Sequence, residues 1–160
     1  MLDEWAALNG RVAIVTGGAG GLGRPITEDL ARAGVALAVC DRDPEAVISI
    51  TEWLADTGTD AIVECFDVRD SERLAVFFDN VDEHFGKLDI LVNVPGGSYR
   101  QPSIDVRPNG VAAVIRQNFI HVLEACQLAA RRMTERGTGG SIVTVSTIEA
   151  HRAMPEMVVY

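Results

Sequence analysis

The sequence predicts a doubly wound α/β fold, a parallel sheet with helices on both faces, and three observations carry that expectation. Short, mostly β-branched runs alternate with helix-length amphipathic segments, the pattern of buried parallel strands joined by right-handed crossovers. A cluster of glycines directly follows the first apolar run. An acidic residue closes the second run, roughly 20 residues beyond those glycines.

Taken in order, the strand candidates are Val12–Val15, Val35–Val39, Ala61–Val63, Ile90–Val92 and Ile142–Val145. Each reads as a strand buried on both faces. Helices are expected near 22–33, 44–57, 71–86 and 108–136. Asp43 before Pro44 is a cap and first-turn pair for the second helix, and Gly34, Gly58 and Gly137 stand where helices should stop. Pro25 is tolerable because a first helical turn needs no intrahelical N–H. No linker, repeat or low-complexity stretch divides residues 1–160, and that length suits a single core.

Composition narrows the function classes. The chain is 48% hydrophobic and 23% charged, which excludes intrinsic disorder. Its three cysteines, Cys40, Cys65 and Cys126, are too few, odd in number and too scattered for a disulfide scaffold. Cys40 and Cys65 fall in strands and read as packing residues. Fourteen Lys and Arg against 23 Asp and Glu give a net charge of −9, which repels phosphate backbones and argues against nucleic acid as a partner. No apolar run reaches the ~18 residues that cross a bilayer, and the start, Met1 to Trp5, lacks the regions of a signal peptide. A cytoplasmic protein is expected. His84 and His121 have no metal-ligand neighbour at useful spacing, so no metal site is indicated.

Ligands of doubly wound sheets bind beyond the carboxyl ends of the strands, so residues that end strands are the site candidates. The first strand runs into Thr16-Gly17-Gly18-Ala19-Gly20-Gly21-Leu22-Gly23. A glycine turn between strand and helix lets the backbone approach a pyrophosphate, and the helix N-terminus adds N–H groups and positive dipole. Gly17, Gly21, Leu22 and Gly23 are therefore candidate dinucleotide contacts. Asp41 is placed to grip the adenosine ribose. Asp43 caps the helix better, which leaves Asp41 without a structural role. A carboxylate there repels a 2′-phosphate, so NAD is expected over NADP, although the adjacent Arg42 could accommodate such a phosphate.

These residues resemble the short-chain dehydrogenase/reductase family from about Arg11 to Tyr160. Thr16-Gly17-x-x-x-Gly21-x-Gly23 is similar to its cofactor turn, and Asp41 to its NAD-selecting acid. The resemblance implies a Rossmann-type, three-layer α/β/α domain, with Asp67 and Val68 against the adenine. Asp67 could equally cap the next helix, though Asp70 and Ser71 are better placed for that. Asn93-Val94-Pro95-Gly96 stands where the family usually has Asn-Asn-Ala-Gly. Asn93 and Gly96 match; Val94 and Pro95 do not, and Pro95 lacks an N–H.

In the helix after the fourth strand, Val111, Ile115, Val122, Cys126, Ala129 and Met133 recur at helical spacing. Asn118 lies within that apolar stripe, and an unpaired buried amide costs about 1–3 kcal/mol, so it needs a partner. One reading is a structural bond to backbone. The resemblance implies instead the catalytic Asn, which kinks its helix and holds a relay water. By the family's thirteen-residue spacing to the tyrosine, Thr147 occupies the serine position, with the neighbouring Ser146 as the alternative hydroxyl. Tyr160 matches the acid–base tyrosine.

The Tyr-x-x-x-Lys lysine has no counterpart here. Free Tyr titrates near pH 10, so acting as a base near pH 7 takes about 3 units, or roughly 4 kcal/mol, much of which a nearby ammonium supplies. The expectation is a C-terminally incomplete portion of a longer enzyme, inactive alone. Its fifth strand should be an exposed edge. The full-length parent would transfer hydride between NAD(H) and a secondary alcohol or ketone, as a homo-oligomer. The alternatives are a fragment that only binds the dinucleotide, and an NADP-linked 3-ketoacyl reductase supported by Arg42. Ser98 to Gln101 and Glu149 to Arg152 should overlook the pocket, which favours a polar or charged substrate as much as ordinary loop polarity.

Overall fold

A computed structural model of the chain describes residues 7–137 and 139–160. Five parallel strands, β1 (Val12–Thr16), β2 (Ala36–Asp41), β3 (Ala61–Cys65), β4 (Ile90–Asn93) and β5 (Ser141–Thr144), form one sheet in the order β3-β2-β1-β4-β5. Helices α1 (Gly23–Arg32), α2 (Pro44–Asp56) and α3 (Ser71–Phe85) alternate with the first four strands. The predicted fold class is the observed one. The order reverses between β1 and β4, which opens a crevice at the carboxyl ends of β1, β2 and β4.

Alternation along the strands sends side chains to opposite faces. Ala13, Val15, Leu37 and Val39 pack with Ile50 and Leu54 on one face, while Ile14 and Leu91 pack with Leu74, Phe77, Phe78 and Val81 on the other. Expected burial on both faces holds for β1, β2 and β4. It fails at β3, which is half-buried with Cys65 exposed, and at β5, where all four residues are exposed, as expected of that strand as a sheet edge. Edge strands have a neighbour on one side only, so the same apolar composition buries less. Cys40 packs in the core as expected, and burial pushes its thiol far upward. Cys65 is thereby corrected from packing residue to surface thiol.

Caps explain the helix starts. Asp43 accepts from Glu45 N at 3.0 Å and Ala46 N at 3.3 Å, and Asp70 accepts from Arg73 N at 3.0 Å. Gly34, Gly58 and Gly137 all take positive φ where their helices stop. At the far end of the sheet, Asp89 ties the start of β1 to its own loop: it accepts from Val12 N and Arg11 Nη1, both at 2.9 Å, and pairs with Lys87 at 3.3 Å. Burial raises its carboxyl, but these donors outweigh burial and the net shift is downward.

The long helix expected over 108–136 is three pieces. α4 (Pro108–Ile115) and α5 (His121–Glu135) flank a π-helical turn at Arg116–Ile120 that contains Asn118. A π-turn widens the helix and shifts its phase, so the predicted stripe does not run through. Ile115 is 43% exposed, and the buried face is Val114, His121, Ala125, Ala129 and Met133. Among the described residues no helix is long and apolar enough to cross a membrane.

Candidate functional site

β1 ends at Thr16 and the chain turns sharply at Gly17, whose φ is +65°. A Cβ there would come within 2.9 Å of the Pro95 ring, and one on Gly23 would overlap the Gly17 carbonyl. The start of α1 therefore sits directly on the strand end, an approach only glycine permits. Thr27 secures it by donating its hydroxyl to Gly18 O at 2.9 Å. No side chain caps α1, and its first turn carries no acid, so nothing in the helix itself offsets the positive end of its dipole.

This turn forms one wall of a cleft of about 300 Å³. Its lining includes Gly17, Gly20, Gly21, Leu22, Asp41, Arg42, Asp67, Val68, Val94, Pro95, Gly96 and Gln117. Most of the predicted cofactor-contact residues thus converge. Two do not line it. Gly23 acts through helix packing. Asn93 is buried in the core, where it meets Thr16, Cys126 and Thr144 at 3.4–3.5 Å. Gln117 is the lining residue that strand-end reasoning missed, because it comes from the π-turn rather than from a strand.

Asp41 requires a correction, because the folded chain gives it structural work. Its Oδ2 accepts from Ala19 N and its Oδ1 from Asp43 N, each at 3.2 Å. These bonds tie the glycine turn to the end of β2 and aim the carboxylate along the cleft wall. Asp67 is gripped by Arg69, whose Nε lies 2.9 Å from Oδ1; that bond holds the Asp67 carboxyl below the usual range. Asp70, not Asp67, caps α3.

Asn118 makes a reciprocal pair with the loop after β4. Its Oδ1 accepts from Gly97 N at 2.8 Å and its Nδ2 donates to Gly97 O at 2.9 Å. The amide is partnered by backbone, and the π-turn is what carries it to that loop. Ser146 is exposed just beyond β5. Thr147 hydrogen-bonds the Glu149 carboxylate and starts a short 3₁₀ turn, Ile148–Ala150. Tyr160 is 39% exposed, and its N–H donates to Met157 O at 3.1 Å. Among the described residues no hydrogen bond joins Ser146, Thr147, Asn118 and Tyr160 to one another, and none of the four lines the cleft.

The cleft's chemistry suits a dinucleotide. Cβ atoms on Gly20 and Gly21 would meet no protein atom within 4 Å, so bare backbone and an uncapped helix end face open space suited to phosphates. Asp41 contributes a carboxylate to the cleft lining and Val68 an apolar side chain.

Sheet order and glycine turn together define a Rossmann-type fold. The short chain dehydrogenase family model matches residues 11–160, and the chain belongs to that family. A chloroplastic tropinone reductase homolog of Arabidopsis thaliana is 33% identical over 157 residues, covering 97% of this chain and 48% of the relative. A 7α-hydroxysteroid dehydrogenase complexed with NADH and 7-oxoglycochenodeoxycholic acid superposes with TM-score 0.92 at 28% identity, over 100% of this chain and 62% of that one. A Burkholderia phymatum short-chain dehydrogenase/reductase in complex with NAD gives 0.91 at 26% identity, over 96% and 54%. The chain spans about half the length of the first curated relatives it matches.

Proposed function

We propose that the 300 Å³ cleft binds a nicotinamide dinucleotide, NAD in preference to NADP, and that the whole protein oxidises or reduces a secondary alcohol or ketone. The observation that carries this reading is the convergence of the glycine turn, Asp41, Asp67 and Gly96 on one cleft at the strand ends. The two solved relatives whose descriptions name NADH and NAD support the cofactor class.

The cofactor would supply hydride chemistry. The chain's own residues would bind and orient it. Gly17 to Gly23 would hold the diphosphate, Asp41 the ribose hydroxyls, and Asp67 with Val68 the adenine. Asn118 would set the cleft wall by fixing Gly97, which steadies Gly96. Tyr160 would exchange a proton with the substrate oxygen, and Thr147 or Ser146 would hydrogen-bond that oxygen. Negative charge on Asp41 favours an unphosphorylated ribose. Arg42 is exposed at the same wall, without a side-chain hydrogen bond among the described residues, and it favours the NADP reading.

Asp41→Ala separates the two. We expect weaker NADH binding by tenfold or more and a shift toward NADPH; unchanged preference removes the assignment. In the whole protein, Tyr160→Phe should abolish turnover and leave NADH binding intact.

A further inference from the structure

His121 is fully buried and is the first residue of α5, directly after the π-turn at Arg116–Ile120. Its Nδ1 lies 3.4 Å from the Arg116 carbonyl oxygen. That oxygen only accepts, so Nδ1 carries the proton and Nε2 is left as a bare acceptor. Nε2 is buried and has no hydrogen-bond partner among the described residues. An apolar side chain would fill the same space without stranding a polar atom, so packing does not account for a histidine here.

The groups around the ring are committed elsewhere. Two carboxylates act on it, Asp67 after β3 and Glu124 on α5. Asp67 is held by Arg69, and Glu124 accepts from Ser71 Oγ at 2.8 Å. Arg116, at the start of the π-turn, spends Nε and Nη2 on the Arg69 carbonyl at 3.2 and 2.9 Å. The strands on which α5 packs, β4 and β5, carry no ionisable side chain. α3 meets α5 through Asp79 and Asp82 on Arg132, about three turns along from His121, and its first-turn Glu72 and Arg73 are exposed.

Burial pushes the imidazole below its ordinary range, against the pull of the Arg116 carbonyl and the two carboxylates. A proton on Nε2 places an N–H and a charge where no acceptor lies within reach among the described residues. The ring must then leave its seat or draw a carboxylate from its partner. Either displaces the π-turn, which presents Gln117 to the first cleft and carries Asn118 to Gly97 at 2.8 and 2.9 Å.

We propose that His121 is a proton-operated latch on the π-turn: neutral, it holds Gln117 and Asn118 at the cleft wall, and protonated, it releases them. Resting on the dinucleotide reading of the first cleft, the latch makes binding tight at neutral pH and weak in mild acid. Only the neutral form binds, so affinity falls with its population, up to about tenfold per pH unit.

Two measurements on the folded chain test this between about pH 7.5 and about pH 5, above the ordinary carboxylate range. In an NMR titration the His121 ring should protonate in one step, and the Gly97 amide, which donates to Asn118, should shift with the same midpoint while strand amides hold still. In calorimetry, NAD affinity should fall about threefold or more with that midpoint. His121→Asn keeps a donor near the Nδ1 position and cannot titrate, so the Gly97 step should vanish and NAD affinity should stay level. A ring that does not titrate in this range, a Gly97 amide that ignores it, a ring step that coincides with loss of the strand signals, or an equal fall of NAD affinity in His121→Asn would overturn the proposal. Should that variant not fold, the shared midpoint of ring and Gly97 amide in the unaltered chain decides. A chain whose Gly97 amide follows the ring but which binds no NAD at any pH would uphold the latch and refute the dinucleotide reading alone.

Discussion

Leu91 and Ile142 are register partners on adjacent strands, β4 and β5, yet Leu91 is fully buried and Ile142 is 39% exposed. Their sequences look alike, since both sit in short apolar runs. Position in the sheet separates them: among the described residues β4 lies between β1 and β5, whereas β5 has β4 alone as a neighbour. The same contrast divides the candidate site. Most groups expected to hold a dinucleotide follow the central strands β1, β2 and β4, while Asp67 and Val68 follow the other edge strand, β3. Ser146, Thr147 and Tyr160 follow the exposed edge.

That comparison can be broken by substitution. Leu91→Ala should cost about 3–4 kcal/mol, because it removes core contacts and leaves a cavity, and chemical denaturation of the chain would read it. Gly23→Ala should cost about 3 kcal/mol, since the new methyl overlaps the Gly17 carbonyl, and NADH binding should fall with it. Asn93→Ala should cost about 1–3 kcal/mol by stripping Thr16 and Thr144 of a buried partner. Ile142→Ala should cost well under about 1 kcal/mol, as partly exposed side chains lose little. Equal costs for Leu91→Ala and Ile142→Ala would show that β5 is as well covered as β4.

The smallest effect concerns acid. Asp89 has a lowered carboxyl in the folded chain, so the unfolded chain binds more protons as pH falls below about 4. The stabilisation it gives is complete above the unfolded value and is lost as pH drops through the folded one. Denaturation followed from about pH 5 to about pH 2.5 should therefore show falling stability. Asp89→Asn should flatten that slope, and an unchanged slope would place the acid sensitivity elsewhere.

Fold class, strand positions and helix caps were legible in the sequence because alternation, Asp43-Pro44 and the glycine turn act locally. The stripe through Ile115 misled because an α-helical period cannot anticipate the π-turn at Arg116–Ile120. The spare carboxylate of Asp41 misled too, since its bond to Ala19 N joins residues 22 positions apart. Asn118 was marked by a polar residue among apolar ones, and its partner Gly97 required the folded loop. Gln117 and Arg69 carried no motif signal. Arg69 stands two residues after Asp67, and only the turn there makes them a pair.

Titration of NADH into the folded chain, followed by calorimetry with a thermal melt as the control for folding, tests the central claim most directly. The account predicts saturable one-to-one binding that raises the melting temperature and weakens in Asp41→Ala. A folded chain that binds neither NADH nor NADPH would contradict it.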